Sequence, residues 1–152
     1  MALARRTLIL SAAASPLLTL IPGGAFAAQS RVYVERGIAV DGTDVLSYFD
    51  TGAPAKGSTD FTHDWNGATW LFTSAENRDR FAENPEAFAP QFGGYCAYAV
   101  SEGYIASTVP DAWKIVDGKL YLNYSRRIQR RWERDIPGRI AAGNANWPDV
   151  LR

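Results

Sequence analysis

The sequence predicts an α+β fold: a small single domain built from two β-hairpin-plus-helix units around a central Gly-Gly-Tyr-Cys connector. Three observations predict it. Aromatic and β-branched stretches flank Asn66-Gly67 and Asp117-Gly118, dipeptides that supply the positive φ angles of a tight two-residue hairpin turn. A serine follows each hairpin, Ser74 and Ser125, and opens a stretch of helical period. Finally, Asp60 and Asp111, Gly67 and Gly118, Leu71 and Leu122, Ser74 and Ser125, and Arg80 and Arg131 all lie 51 positions apart. Identities at one constant spacing, with matching turn chemistry, are the signature of an internal pair of ββα units. The 152 residues, 47% hydrophobic and 21% charged, suffice for one core and are too few for two.

Taken in order, the chain opens with Arg5-Arg6, an apolar run from Leu8 to Ile21, and Ala25-Phe26-Ala27. A basic start, a short apolar middle and a small-x-small end describe a signal peptide over residues 1–27. Arg5-Arg6-Thr7-Leu8-Ile9 resembles a twin-arginine export signal. The expected location is periplasmic or secreted, with no stable membrane insertion of the mature form. Residues 28–36 read as a lead-in with a short strand at Val32 to Val34, and 37–152 as the domain proper. Ile38 to Val40 predicts a brief strand ending at Asp41-Gly42, Asp44 to Phe49 is core of either helical or strand type, and Gly52 to Gly57 is a loop. The first hairpin spans Phe61 to Phe72. Ser74 caps a helix with Phe81 on its apolar side, Asn84-Pro85 ends it, and Pro85 opens a short helix through Phe88.

The connector, Pro90 to Gly103, carries Phe92-Gly93-Gly94-Tyr95-Cys96-Ala97-Tyr98-Ala99. The glycine pair permits a sharp turn, and the alanines beyond it place Cys96 in the first turn of a short helix, where backbone N–H groups favour a thiolate. The second hairpin runs from Ala112 to Tyr124. Beyond Ser125 the pattern Ile128, Trp132, Ile136 predicts one charged helix, a final helix begins near Pro137, and the Trp147 indole packs on the body. Arg126, Arg127, Arg130, Arg131 and Arg134 read as a solvated helix face paired with Glu133 and Asp135.

Charge and cysteine count narrow the function. Without Arg5 and Arg6, 14 basic side chains face 16 acidic ones, about −2, which gives no attraction for nucleic acid. One cysteine makes no internal disulfide, so Cys96 is buried, metal-bound or open to pairing between chains in a homodimer. The reactive candidates are Cys96 and the only histidine, His63, with Tyr95 and Tyr98 as phenolic helpers. Thiolate and imidazole suit a soft ion such as Cu(I), whereas a structural zinc site wants four Cys or His ligands and the chain has two. The same pair is the minimum for a thiol-dependent enzyme. A third reading is a non-catalytic module with a structural Cys96 and an aromatic cleft for an organic ligand or partner. A cleft at the junction of the halves is where a site is expected.

Asn66-Gly67-Ala68-Thr69-Trp70-Leu71-Phe72-Thr73-Ser74, continuing through Phe81 and Asn84-Pro85-Glu86-Ala87-Phe88, resembles the YHS-domain family. The stretch from Phe92 to Val100 is similar to its secreted branch, where Gly-Gly-Tyr-Cys-Ala-Tyr recurs, and the resemblance covers roughly Gly37 to Trp147. It implies a metal-binding scaffold. Thr73 and Asn77 stand where the family carries its metal cysteines, and Thr62-His63-Asp64 keeps the histidine of the namesake motif. The expectation is a non-enzymatic, exported protein that handles a metal ion, copper first, in trafficking or tolerance, through Cys96, His63, Tyr95 and Tyr98.

Overall fold

In a computed structural model, residues 28–152 are described, and the signal peptide expected over 1–27 lies outside them. Strands β1 (Val34–Glu35) and β2 (Ile38–Ala39) form a small hairpin. A tight 3-10 turn at Val40–Gly42 leads into β3 (Thr43–Asp44) and helix α1 (Leu46–Asp50), and β4 (Ala55–Lys56) returns antiparallel to β3. The Asp44 to Phe49 stretch, open between helix and strand from its composition, thus divides: Asp44 ends a short strand, and Val45 onward is helical.

The first predicted hairpin is β5 (Ser58–Trp65) and β6 (Ala68–Phe72), with φ of 52° at Asn66 and 79° at Gly67. These are the two positive values a primed turn requires. Strand β6 also pairs parallel with β2, which gives a four-stranded sheet of order β1-β2-β6-β5. Ser74 then caps α2 (Ala75–Glu83) by accepting the Asn77 N–H at 3.1 Å, and Pro85 opens α3 (Pro85–Phe88).

After the connector come α4 (Ala97–Ser101), the second hairpin β7 (Trp113–Val116) and β8 (Lys119–Leu122), and α5 (Arg126–Trp132). Asp117 and Gly118 again have positive φ, and Ser125 accepts the Ile128 N–H at 3.2 Å. One expectation fails here: the helix does not continue through Ile136. The chain breaks at a 3-10 turn, Glu133–Asp135, and α6 (Ile136–Asn146) starts afresh. Pro137, lacking an N–H, suits a first turn rather than a helix interior, and Asp135 caps that turn through the Gly138 N–H at 3.1 Å.

Two clusters fill the interior. One gathers Leu46, Tyr48, Trp70, Phe72, Phe81, Leu120 and Leu122; the other gathers Phe92, Tyr95, Val100, Tyr121, Trp132 and Leu151. Strand alternation explains the division, because successive side chains of β8 point to opposite faces: Leu120 and Leu122 enter the first cluster and Tyr121 the second. Phe81 and Trp132, 51 positions apart, are each sealed in their own cluster. Trp147 packs on Phe92 and Tyr95, with ring centres 6.1 and 6.2 Å apart, as its sequence position implies.

The repeat extends further upstream than hairpin and helix. The turns at Val40–Gly42 and Gln91–Gly94 both carry consecutive positive φ values, at Val40, Asp41 and Gly42 and again at Phe92, Gly93 and Gly94. The Gly42 carbonyl accepts the Gly57 N–H and the Gly94 carbonyl accepts the Thr108 hydroxyl, both at 2.8 Å. Two residues past each turn, just before a short helix, stand Asp44 and Cys96. The glycine at 93 has a further reason: a Cβ there would collide with the Arg31 carbonyl oxygen, where the lead-in crosses and Tyr33 donates its N–H to Gly93 at 2.9 Å.

Candidate functional site

Asp44 is sealed, 0% exposed, and its carboxylate is fully occupied. Oδ1 accepts the Leu46 N–H at 3.0 Å. Oδ2 accepts the Thr73 N–H at 2.9 Å, the Thr73 hydroxyl at 2.8 Å and the Asn77 amide at 2.8 Å. Thr73 and Asn77 are the two positions at which the family resemblance implies metal cysteines. Here their N–H and O–H groups converge on one carboxylate oxygen, so hydrogens occupy the side from which a cation would need lone pairs. These residues do not fit a metal ion; they form a part-buried, charge-assisted hydrogen-bond network around the buried Asp44 carboxylate.

Cys96 occupies the corresponding place in the second unit. It is the residue that precedes α4 rather than one inside its first turn, and it is 1% exposed. Its N–H donates to Ala106 at 3.0 Å and its carbonyl accepts the Val100 N–H at 3.0 Å, which fixes the backbone. Sγ accepts the Tyr124 N–H at 3.3 Å and lies 3.6 Å from Asn123 Oδ1, to which the thiol donates. Asn123 Oδ1 also takes the Tyr98 N–H at 3.2 Å, while its Nδ2, buried, has no hydrogen-bond partner among the described residues.

Two opposed effects act on the thiol. Burial pushes its pKa up, and the N–H groups of Ala99, Tyr124 and Tyr98 pull it down; burial is the larger. The expected thiolate at a helix start is therefore not what this environment favours. The resting form is a neutral S–H that donates to Asn123.

Cys96 is nevertheless part of a wall. Together with Tyr98, Ala99, Tyr104, Tyr124 and Ile128 it borders a cavity of ≈ 220 Å³. Tyr104 and Tyr124 are 52% and 54% exposed, so the mouth of this cavity is aromatic. A second hollow of ≈ 350 Å³, between Trp65, Trp70, Phe92 and Trp147, lies at the junction of the halves where a cleft was expected, and Cys96 does not border it.

The other sequence candidates fall in different places. Tyr98 joins Cys96 at the cavity. Tyr95 is buried, and its hydroxyl donates to the Ser30 carbonyl at 2.8 Å, tying down the lead-in. His63 lies on β5 opposite Trp70, with its ring edge-on to Phe81 at 6.1 Å. It packs on the first cluster, and it neither bonds to Cys96 nor lines its cavity. The neighbouring Asp64 carboxylate accepts the Thr69 hydroxyl at 2.7 Å. A thiol–imidazole pair is not assembled, and among the described residues no group of three or more His, Cys, Asp or Glu side chains gathers as a metal cluster.

Sequence reasoning missed Asp44 and Asn123. Asp44 had a signal: it follows the Asp41-Gly42 turn as Cys96 follows Gly93-Gly94. Asn123 stands 51 positions after Phe72, a polar residue in a buried aromatic slot. Among the described residues no helix is long and apolar enough to cross a membrane. Comparison with protein-family models, curated proteins and solved structures finds no match for this chain.

Proposed function

We propose that this chain is an exported, non-catalytic binding module of YHS-like type that seats the apolar part of a small organic ligand in the Cys96 cavity. One observation carries the reading: two large aromatic side chains, Tyr104 and Tyr124, stand half-exposed around a hollow whose remaining walls are mostly apolar. Exposed aromatic surface around a concave apolar space is what a ligand covers. A cavity of ≈ 220 Å³ takes one aromatic ring or a short alkyl chain, since a dry cavity of about 150 Å³ already holds benzene. The neutral thiol would then act as a polarizable wall.

Titration with phenyl-substituted alcohols, followed by amide NMR, tests the reading. Shifts should concentrate at Cys96, Ala99 and Tyr124 and disappear in Tyr104→Ala/Tyr124→Ala, two exposed positions where truncation spares the core. Shifts spread over the whole surface, or unchanged in the double variant, would sink it.

A second reading, a thiophilic ion such as Cu(I) at Cys96, draws support from Cys96 bordering the same cavity as Tyr98, Tyr104 and Tyr124. Its donors would be one thiolate and phenols, with His63 taking no part. Equal Cu(I) uptake by wild type and Cys96→Ser, measured against a competing chelator, would eliminate it.

A further inference from the structure

The arginine run is a solvated face, with all five side chains exposed, but it is not internally paired. Glu133 is engaged by Lys114 at 3.5 Å and Gln129 at 3.0 Å, and Asp135 is committed to capping α6. Among the described residues, none of Arg126, Arg127, Arg130, Arg131 and Arg134 has a carboxylate within ion-pair distance. This arrangement is unfavourable in isolation: arginines three and four apart on a helix repel, and the first turn of α5 holds Arg126 and Arg127 and no acid, against the helix dipole.

The repeat shows how one of them lost its partner. In the first unit Arg80 is held by both oxygens of Asp50, at 2.7 and 3.1 Å. Arg131 is the counterpart of Arg80, and Glu102, which follows α4, stands 52 positions after Asp50, the spacing that also separates Cys96 from Asp44. But Glu102 is bonded by Arg139, whose guanidinium also lies 4.4 Å over the Tyr98 ring. Among the described residues, Arg131 is left without an acid.

Three of these arginines, Arg127, Arg131 and Arg134, border hollows that adjoin the Cys96 cavity. Tyr124 and Ile128 are shared between that cavity and a groove of ≈ 350 Å³ carrying Arg127 and Arg131. Tyr98 is shared between the cavity and a larger groove of ≈ 540 Å³ carrying Arg131, Arg134 and the Glu102-bound Arg139, together with Asp135, whose carboxylate is turned to the Gly138 N–H. One apolar seat and two cationic grooves thus share their walls.

Building on the ligand reading of the cavity, we infer that the ligand is an amphipathic organic anion: a ring or short chain in the Cys96 cavity, and a carboxylate or comparable oxyanion held by Arg131 and Arg134, with Arg127 at the edge. Arginine forks match a carboxylate in bidentate geometry, and an anion there relieves the repulsion among them. Arg126 and Arg130, on the adjoining face of the helix, border neither groove.

The test is a matched series of benzoate, 3-phenylpropionate and 5-phenylpentanoate against the corresponding alcohols, titrated into the mature protein at low and moderate salt. The best acid should bind at least ~10-fold more tightly than its alcohol, the size of one charge-assisted contact. Raised salt should erode the difference. Arg131→Gln/Arg134→Gln should abolish it without altering alcohol binding, and Arg126→Gln/Arg130→Gln should leave it intact. Acids and alcohols binding equally would overturn the anion inference while leaving the cavity reading standing; no binding by either would remove both. Equal loss in the two arginine pairs would mean diffuse charge rather than a groove, and capture by phosphatidylglycerol vesicles that depends on both pairs would make α5 a membrane-facing surface. Either result overturns the inference.

Discussion

Asp44 and Cys96 occupy the same socket in two copies of one unit, and the two sockets have opposite fates. Each residue follows a turn of positive φ values and precedes a short helix, and each accepts a backbone N–H from the residue that ends the following hairpin: Thr73 for Asp44, Tyr124 for Cys96. What differs is the pair of side chains 51 positions apart. Thr73 and Asn77 turn hydroxyl and amide inward and close the first socket on a carboxylate. Tyr124 and Ile128, at the matching positions, make no such bonds, and the second socket keeps a cavity with a thiol in its wall. A duplicated fold can thus keep one copy for stability and leave the other open for a ligand.

The largest expected effect comes from breaking the closed socket. Asp44→Ala strands the buried Leu46 N–H and removes the shared acceptor of the part-buried Thr73 and Asn77 donors, and each unsatisfied buried donor costs about 1–3 kcal/mol. A loss of about 4 kcal/mol is expected, read from the midpoint of urea unfolding at constant m. Asp44→Asn, which turns an N–H toward those donors, should cost about 2 kcal/mol. A cost below about 1 kcal/mol for the alanine variant would contradict the role given to the first socket.

The open socket should tolerate change. Cys96→Ser keeps a donor for Asn123 and an acceptor for Tyr124, and should cost about 1 kcal/mol or less. Because burial raises the Cys96 pKa, alkylation of the native protein by iodoacetamide should show its inflection above the ordinary thiol value of about 8.5. The linkage has a definite sign. As pH rises past that value the unfolded thiol ionises while the folded one stays protonated, so stability falls in that window. An inflection below neutrality would show that the backbone N–H groups outweigh burial after all.

The two serine caps test whether the repeat is energetic as well as geometric. Ser74→Ala and Ser125→Ala should each cost about 1 kcal/mol. Ser125→Ala should cost at least as much, because α5 opens on two arginines whereas α2 has Glu76 in its first turn. Thermal unfolding of the two variants side by side checks the order.

Much of this scaffold was legible because local chemistry dictates it. Asn66-Gly67, Asp117-Gly118, Ser74 and Ser125 specify turns and caps whatever surrounds them, and their constant spacing revealed the paired units before any geometry. The socket residues were not legible for the converse reason. Asp44 matters through Thr73 and Asn77, 29 and 33 positions away, and nothing adjacent to it announces a buried carboxylate. The thiol was found but its state was misjudged, because the N–H groups of a helix start are written locally and the burial that outweighs them is not. His63 was grouped with Cys96 only because each is the sole residue of its kind. Sheet register instead sets it opposite Trp70, on the cluster that Cys96 does not join.

The smallest effect sharpens the comparison most closely. The Arg80 hydrogen bond holds the Asp50 carboxyl below its usual range. The pair's contribution is therefore present above about pH 4 and is lost as pH falls through the lowered value. The Asp50 side chain is 37% exposed, so solvent screening keeps the pair below about 1 kcal/mol. A double-mutant cycle with Asp50→Asn and Arg80→Gln should detect a coupling of a few tenths of a kcal/mol at low salt, fading as salt rises. The matching cycle, Glu102→Gln with Arg131→Gln, should show none, because Glu102 is taken by Arg139. Equal coupling in the two cycles would mean that Arg131 finds its acid in solution; the second unit would then be wired like the first, and the free cation beside the Cys96 cavity would not exist.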